Sequence, residues 1–295
     1  MGSSERKAAG QVPGRSEELT DAIRSRDGTT IRYTRRGSGA PLLLIHGTNA
    51  DHTVWSGVVP MLEKHFTVFA MVRRGQPGSE HGDSYRIDCE IDDIAALADA
   101  SGGEPVNILG HSFGAICALE AAHRIPRVRS LALYEPPIPT YPDAYFSRDM
   151  IKTVRRLLAE HKSEAAIEAF YTKAIRVPRG ELAMMRSRPA WITRVKDARV
   201  ILRELEVVAH YELKPERFQD WRVPTLLLLG GDSSRPYRAT IAKLNAILPG
   251  STIAVLDGQR HAAMTSAPAS FAREILAFIQ GCPLGPNERV AQSGV

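Results

Sequence analysis

The feature that most constrains this chain is the pentapeptide Gly110-His111-Ser112-Phe113-Gly114, set between an apolar run at 105–109 and a run of small, helix-compatible residues at 115–123. It reads strand, sharp turn, helix, with a serine at the tip. A serine there holds a strained backbone, and the flanking glycines leave room because a Cβ at either position would clash. Such a turn exposes the hydroxyl for attack and aims the next amide, that of Phe113, at a developing oxyanion. Chance alone places the bare pattern in about a tenth of chains this long, so the weight falls on its context. Ser112 is the candidate nucleophile; the alternative is an ordinary strand–helix turn.

The rest of the chain agrees with that reading. Upstream, Pro41-Leu42-Leu43-Leu44-Ile45-His46-Gly47-Thr48-Asn49 is a buried strand running into a loop, and downstream His261 follows a β-like run at 251–256 and the turn Asp257-Gly258-Gln259-Arg260. The order of serine, acid and histidine, with a helix-rich insert between the nucleophile and the histidine, resembles the α/β-hydrolase fold superfamily over roughly 19–280. The resemblance implies an α/β fold with a mostly parallel eight-stranded sheet, helices on both faces and a helical cap. It implies no cofactor and no metal.

Residues 20–36 read as a hairpin around Asp27-Gly28. Apolar runs at 41–45, 66–72, 106–109 and 128–134 alternate with helical patterns at 55–64, 89–100 and 115–123. This alternation specifies a parallel sheet. Pro136, Pro137, Pro139 and Pro142 then break the chain, and a helical stretch with its apolar residues at helical spacing follows over 148–211. Strand and helix alternation resumes with strands at 224–229 and 252–256 and helices at 241–248 and 271–279. The expected organisation is a flexible tail at 1–18, a core formed by 19–137 and 219–281, a cap at 138–218 and a second loose tail at 282–295.

A serine hydroxyl is a weak nucleophile at neutral pH and needs a base, which in turn needs an orienting acid. His261 occupies the place where the superfamily carries its histidine and is the base candidate. The acid has rival candidates. The usual position, three residues past the glycine that ends the seventh strand, holds Ser233, with Asp232 one residue early. Glu135 directly follows the sixth strand in Tyr134-Glu135-Pro136-Pro137, text that resembles the haloalkane dehalogenase branch, where the acid sits there. Glu135 is favoured over Asp232, and Asp257 is a third candidate. The amides of Thr48 and Phe113 are the expected oxyanion hole, with Asn49 and Trp55 as candidate substrate contacts. The loop Arg73-Arg74-Gly75 after the fourth strand resembles a superfamily loop that opens on a structural aspartate, here replaced by Val72.

The 295 residues are 43% hydrophobic, enough to bury one large core. The 38 basic and 33 acidic residues are interspersed, which favours a solvated surface over a nucleic-acid interface. No run of 18 apolar residues is present, so no membrane span is expected. Three widely spaced cysteines without ligand spacing fit a reducing cytoplasm. The expected partner is therefore a small acyl substrate, an ester, thioester or lactone. The oligomeric state, a homodimer included, stays open. A lyase, isomerase or cyclase on the same fold, or a ligand receptor with a silent triad, are the rival readings.

Overall fold

The computed structural model describes residues 20–141, 144–188 and 190–282. Both expected tails lie outside these residues apart from Cys282, as does Pro142 of the proline-rich break. The strands are β1 (Thr20–Arg24), β2 (Thr30–Arg36), β3 (Pro41–Ile45), β4 (Thr67–Val72), β5 (Val106–His111), β6 (Val128–Tyr134), β7 (Thr225–Gly230) and β8 (Thr252–Leu256). They form one sheet in the order β1-β2-β4-β3-β5-β6-β7-β8. β2 runs antiparallel to both β1 and β4, and every pairing from β4 to β8 is parallel.

The helices are α1 (Val59–Leu62), α2 (Ile87–Ala100), α3 (Phe113–Arg124), α4 (Arg148–Ala159), α5 (Ser163–Ala169), α6 (Arg179–Arg186), α7 (Ala190–Lys196), α8 (Arg199–His210), α9 (Arg235–Ile247), α10 (Ala263–Ser266) and α11 (Pro268–Gly281). Strands covered on both faces read as continuous apolar runs, and β3, β4 and β7 are buried throughout. The two faces share each strand by alternation. Leu43 and Ile45 pack against residues of α2 and α3, among them Ile94 and Ile116. Leu42 and Leu44 pack in the opposite core with Leu62 of α1 and Phe271 and Ile275 of α11.

Two sequence expectations are corrected here. The helix expected over 55–64 is only a 3-10 turn, His52–Trp55, and the single turn α1. Gly57 falls between the two turns and disfavours a helix interior, and Pro60, lacking an amide hydrogen, sits in the first turn of α1, where a helix can start but not pass through. The helical stretch expected over 148–211 is real but divided into α4 to α8 plus a π-helical turn at Phe170–Ile175. Left-handed backbone at His161 (φ 57°) and Arg176 (φ 61°) ends two of the segments, and Pro178 caps α6.

Candidate active site

β5 ends at His111 and α3 begins at Phe113, so Ser112 alone makes the turn, with φ 54° and ψ −125°. A non-glycine residue pays for such backbone with strain, and it persists only where neighbours impose it. They do so here. The Ser112 N–H donates to Tyr134 O at 2.9 Å, tying the turn to the end of β6. A Cβ on Gly114 would lie 2.3 Å from His46 O, and one on Gly47 would lie 2.8 Å from Ser112 Cβ. Only glycine lets the loop after β3 close against the turn, which puts the His46–Asn49 segment beside Ser112.

His261 follows β8 with its side chain 13% exposed. Its backbone oxygen accepts from His111 Nε2 at 2.8 Å, and the Tyr134 hydroxyl donates to the neighbouring Arg260 carbonyl, so the loop is fastened on both sides. Its Nδ1 lies 2.7 Å from Glu135 Oε2. Glu135 is fully buried at φ 47°, and its other oxygen accepts the Gly230 N–H at 2.7 Å. With the carboxylate accepting the hydrogen bond from Nδ1–H, Nε2 presents its lone pair. That nitrogen faces the Tyr237 hydroxyl at 3.4 Å, and the Tyr237 ring stacks on the imidazole at 4.6 Å. Burial, and then the Glu135 charge, push the Tyr237 hydroxyl well above the ordinary tyrosine range, so it stays a donor.

The rival acid is elsewhere. Asp232 is exposed and its N–H donates to Gln259 O at 2.9 Å. The chain after Gly230 turns at once into α9, capped by Ser234 with Pro236 in its first turn. Asp257 is exposed too.

The other candidates divide. His46 is buried with Nδ1 against Gly47 O at 2.9 Å and Nε2 accepting from Arg73 N at 3.1 Å. Burial, and then the Arg73 charge, hold its pKa down at about 3, so the ring is neutral with its proton on Nδ1. Asn49, at φ 53°, is also buried, and the insertion occupies its polar atoms: Nδ2 donates to Arg194 O at 3.2 Å and Oδ1 accepts from Tyr171 at 3.3 Å. It is a fastening for the loop rather than a free substrate contact. Trp55 requires the same correction. It is 0% exposed, edge-on to His111 and packed on Phe271, because the turn that carries it points into the lower core.

Sequence reasoning missed three side chains at this site: Tyr237, Arg73 and Glu204. Arg73 and Arg74 directly follow β4 and are both fully buried. Arg74 grips Asp93 with two bonds of 2.7 Å and Asp27 with one of 2.9 Å. The available signal was Glu90, Asp93 and Glu204 at helical spacing with buried apolar residues such as Ile94, Leu97, Ile201 and Val208. Carboxylates on an apolar stripe require buried cations.

A cleft of about 880 Å³ lies away from Ser112, between the loop after β6 and the end of α8. Tyr145 lines it and packs on Tyr237 with ring centroids 5.0 Å apart, so two aromatic rings separate the cleft from His261. Among the described residues, no cluster of three or more His, Cys, Asp or Glu could hold a metal, and no helix is long and apolar enough to cross a membrane.

The sheet order and the serine turn are those of one family. A sequence model of the alpha/beta hydrolase family matches residues 42–274, and the chain belongs to that family. It is 36% identical over 103 residues to the 2-hydroxy-6-oxo-2,4-heptadienoate hydrolase of Pseudomonas putida, a match covering 33% of this chain and 37% of that relative. The chain therefore spans just over a third of that relative's length. An alpha/beta hydrolase from Sphaerobacter thermophilus superposes with a TM-score of 0.78 at 31% identity, covering 88% of this chain and 99% of that one. The esterase RhEst1 from Rhodococcus sp. shares the fold at 21% identity, with a TM-score of 0.68 over 90% of this chain and 99% of that one.

Proposed function

We propose that this chain is a serine hydrolase acting on a carboxylic ester, thioester or lactone through an acyl-enzyme. Ser112 Oγ attacks the carbonyl carbon and His261 Nε2 takes its proton. Glu135 holds the imidazole in the right tautomer and stabilises the imidazolium that forms. The Thr48 and Phe113 amides receive the oxyanion; one such donor is typically worth about 3 kcal/mol of barrier. His261 then returns the proton to the leaving group, and water repeats the sequence on the acyl-enzyme.

The observation that carries the reading is the 2.7 Å contact between His261 Nδ1 and Glu135, reached from the loop beside a serine held at φ 54°. A buried carboxylate on left-handed backbone, bonded to a histidine and to a strand-end amide, has no packing purpose that an apolar residue would not serve better. The Tyr237 hydroxyl meets Nε2 only at 3.4 Å, a weak contact that leaves that nitrogen available for the Ser112 proton.

The test is labelling by a fluorophosphonate together with turnover of p-nitrophenyl esters of graded acyl length. Labelling at Ser112 with turnover supports the reading. Labelling without hydrolysis favours a non-hydrolytic enzyme on this fold, and neither result favours a receptor. The Pseudomonas relative is named for 2-hydroxy-6-oxo-2,4-heptadienoate, so that compound belongs in the same assay as an activated carbonyl substrate of another kind.

A further inference from the structure

We propose that Arg73 is a positioning residue: it orients the Thr48 oxyanion amide and ties the helical insertion to it. The inference rests on the serine-hydrolase reading and extends it to a residue that does not touch substrate.

The guanidinium is wholly buried, so its partners dictate where it points. Nε and Nη2 hold Glu90 of α2 at 3.1 and 2.6 Å, and Nη2 also donates to Glu204 of α8 at 2.8 Å. The remaining arm, Nη1, reaches the His46 and Gly47 carbonyl oxygens, each at 3.4 Å. Gly47 O also accepts from the neutral His46 at 2.9 Å.

The Gly47 C=O and the Thr48 N–H are the two ends of one planar trans peptide. Fixing the carbonyl from two donors therefore fixes the opposite direction of the Thr48 N–H, and a cation at the carbonyl polarises the unit and strengthens that donor. The Phe113 N–H is set by its own peptide, whose Ser112 carbonyl accepts from Ala115 N at 2.9 Å. The Arg73 guanidinium carbon sits 4.7 Å from the Phe113 ring centroid, within cation–π range, and so packs against the same turn. A purely architectural ion pair between α2 and α8 would need no arm on the loop after β3.

Glu204 adds the link to the insertion. It is 0% exposed, and its Oε2 has no hydrogen-bond partner among the described residues, so Arg73 is what compensates its buried charge. Tyr85 donates to Glu90 at 2.9 Å and carries the Arg203 guanidinium over its ring at 4.0 Å, which brings a second cation to the cluster. Seating α8 against the core thus completes the partner set of the arginine that orients the Thr48 donor.

The test is Arg73→Lys, which keeps the charge and loses the fork. Rates are normalised to the fraction of protein titrated by fluorophosphonate. kcat on p-nitrophenyl acetate should fall about 10- to 100-fold, less than the loss of a whole donor, with KM within about threefold. The Ki of an aryl trifluoromethyl ketone, whose hemiketal with Ser112 uses the same donors, should rise by the factor by which kcat/KM falls. A folded Arg73→Lys protein with kcat within twofold of the parent, or with an altered KM alone, overturns the proposal. Should Arg73→Lys fail to fold, Glu204→Gln keeps shape and removes the insertion's charge. It should show the same signature at roughly 3- to 10-fold, and unchanged kcat there overturns the proposal equally. Parent protein that is neither labelled nor active refutes the hydrolase reading instead, so the two failures are distinct.

Discussion

The sheet and the helical insertion differ in what holds them. The central strands are buried along their whole length and joined by backbone ladders. The insertion carries its charge pairs on the outside, such as Arg155–Glu206, Arg156–Glu160 and Arg186–Glu168, and exposed pairs contribute about 0–1 kcal/mol each. Its buried apolar residues, Phe146, Val154, Ile201 and Val208 among them, join the core cluster over α2 and α3, and a few polar clips cross the same boundary: Tyr171 and Arg194 on Asn49, Tyr145 on Thr240, Arg217 on Glu120, and Glu204 on Arg73. The lesson is a division of labour. The sheet fixes the reacting atoms, and the insertion bears on them only where a side chain crosses between the two.

The largest effects should come from the sheet's own residues. Ser112→Ala should lower ester turnover on the order of 10⁴- to 10⁶-fold while leaving the melting temperature within a few degrees; retained activity would break the mechanism. Glu135→Gln should cost about 10⁴-fold, against at most about twofold for Asp232→Asn on the same ester. A reversed order would move the acid to the loop after β7.

A weaker but broader effect concerns pH. His46 is held at about 3, by burial and then by Arg73, and His111 well below its ordinary value by burial and then by His261. Both are depressed bases, so the unfolded chain binds protons below about pH 6.5 that the native state refuses. This stability is complete above pH 6.5 and is lost as pH falls from there toward 3. Urea midpoints should hold level from pH 7.5 to about 6.5 and decline from there to 4.5; a flat profile throughout would show that the two rings protonate without unfolding.

The smallest effect tests the clips. Tyr171→Phe removes hydrogen bonds of 3.3 and 3.4 Å to Asn49. Bonds this long should cost under about 1 kcal/mol, read as a change in KM of a few-fold on long-chain esters and little on acetate. An equal loss on all esters would place Asn49 in the reaction geometry instead.

The sheet was legible because its central strands are apolar along their length and its turns are marked by Gly, Pro and Asp. The strained serine turn was legible because only glycine tolerates the approach seen at Gly114. The insertion was legible as helical but not in its divisions, since the left-handed breaks fall at His161 and Arg176, which mark that backbone far less plainly than glycine does. The buried charge cluster was missed because composition counts charges without locating them. Arg73 and Glu204 meet across 131 positions, a contact that no local pattern reports.

The position of Glu135 has a consequence for how such chains diverge. β6 and β7 are neighbours, and the Gly230 amide at the end of β7 already bonds the Glu135 carboxylate. Ser233, a few residues on, is buried with its hydroxyl unpartnered among the described residues, close beside Gly230. The ends of β6 and β7 are thus joined through one carboxylate that also holds the imidazole. If Glu135 is the acid, that role belongs to a point in space that a side chain from either strand end could reach, with the proposed histidine and nucleophile left in place. Column-by-column comparison of relatives would record a transfer between the two as a lost residue, although the chemistry had only changed address.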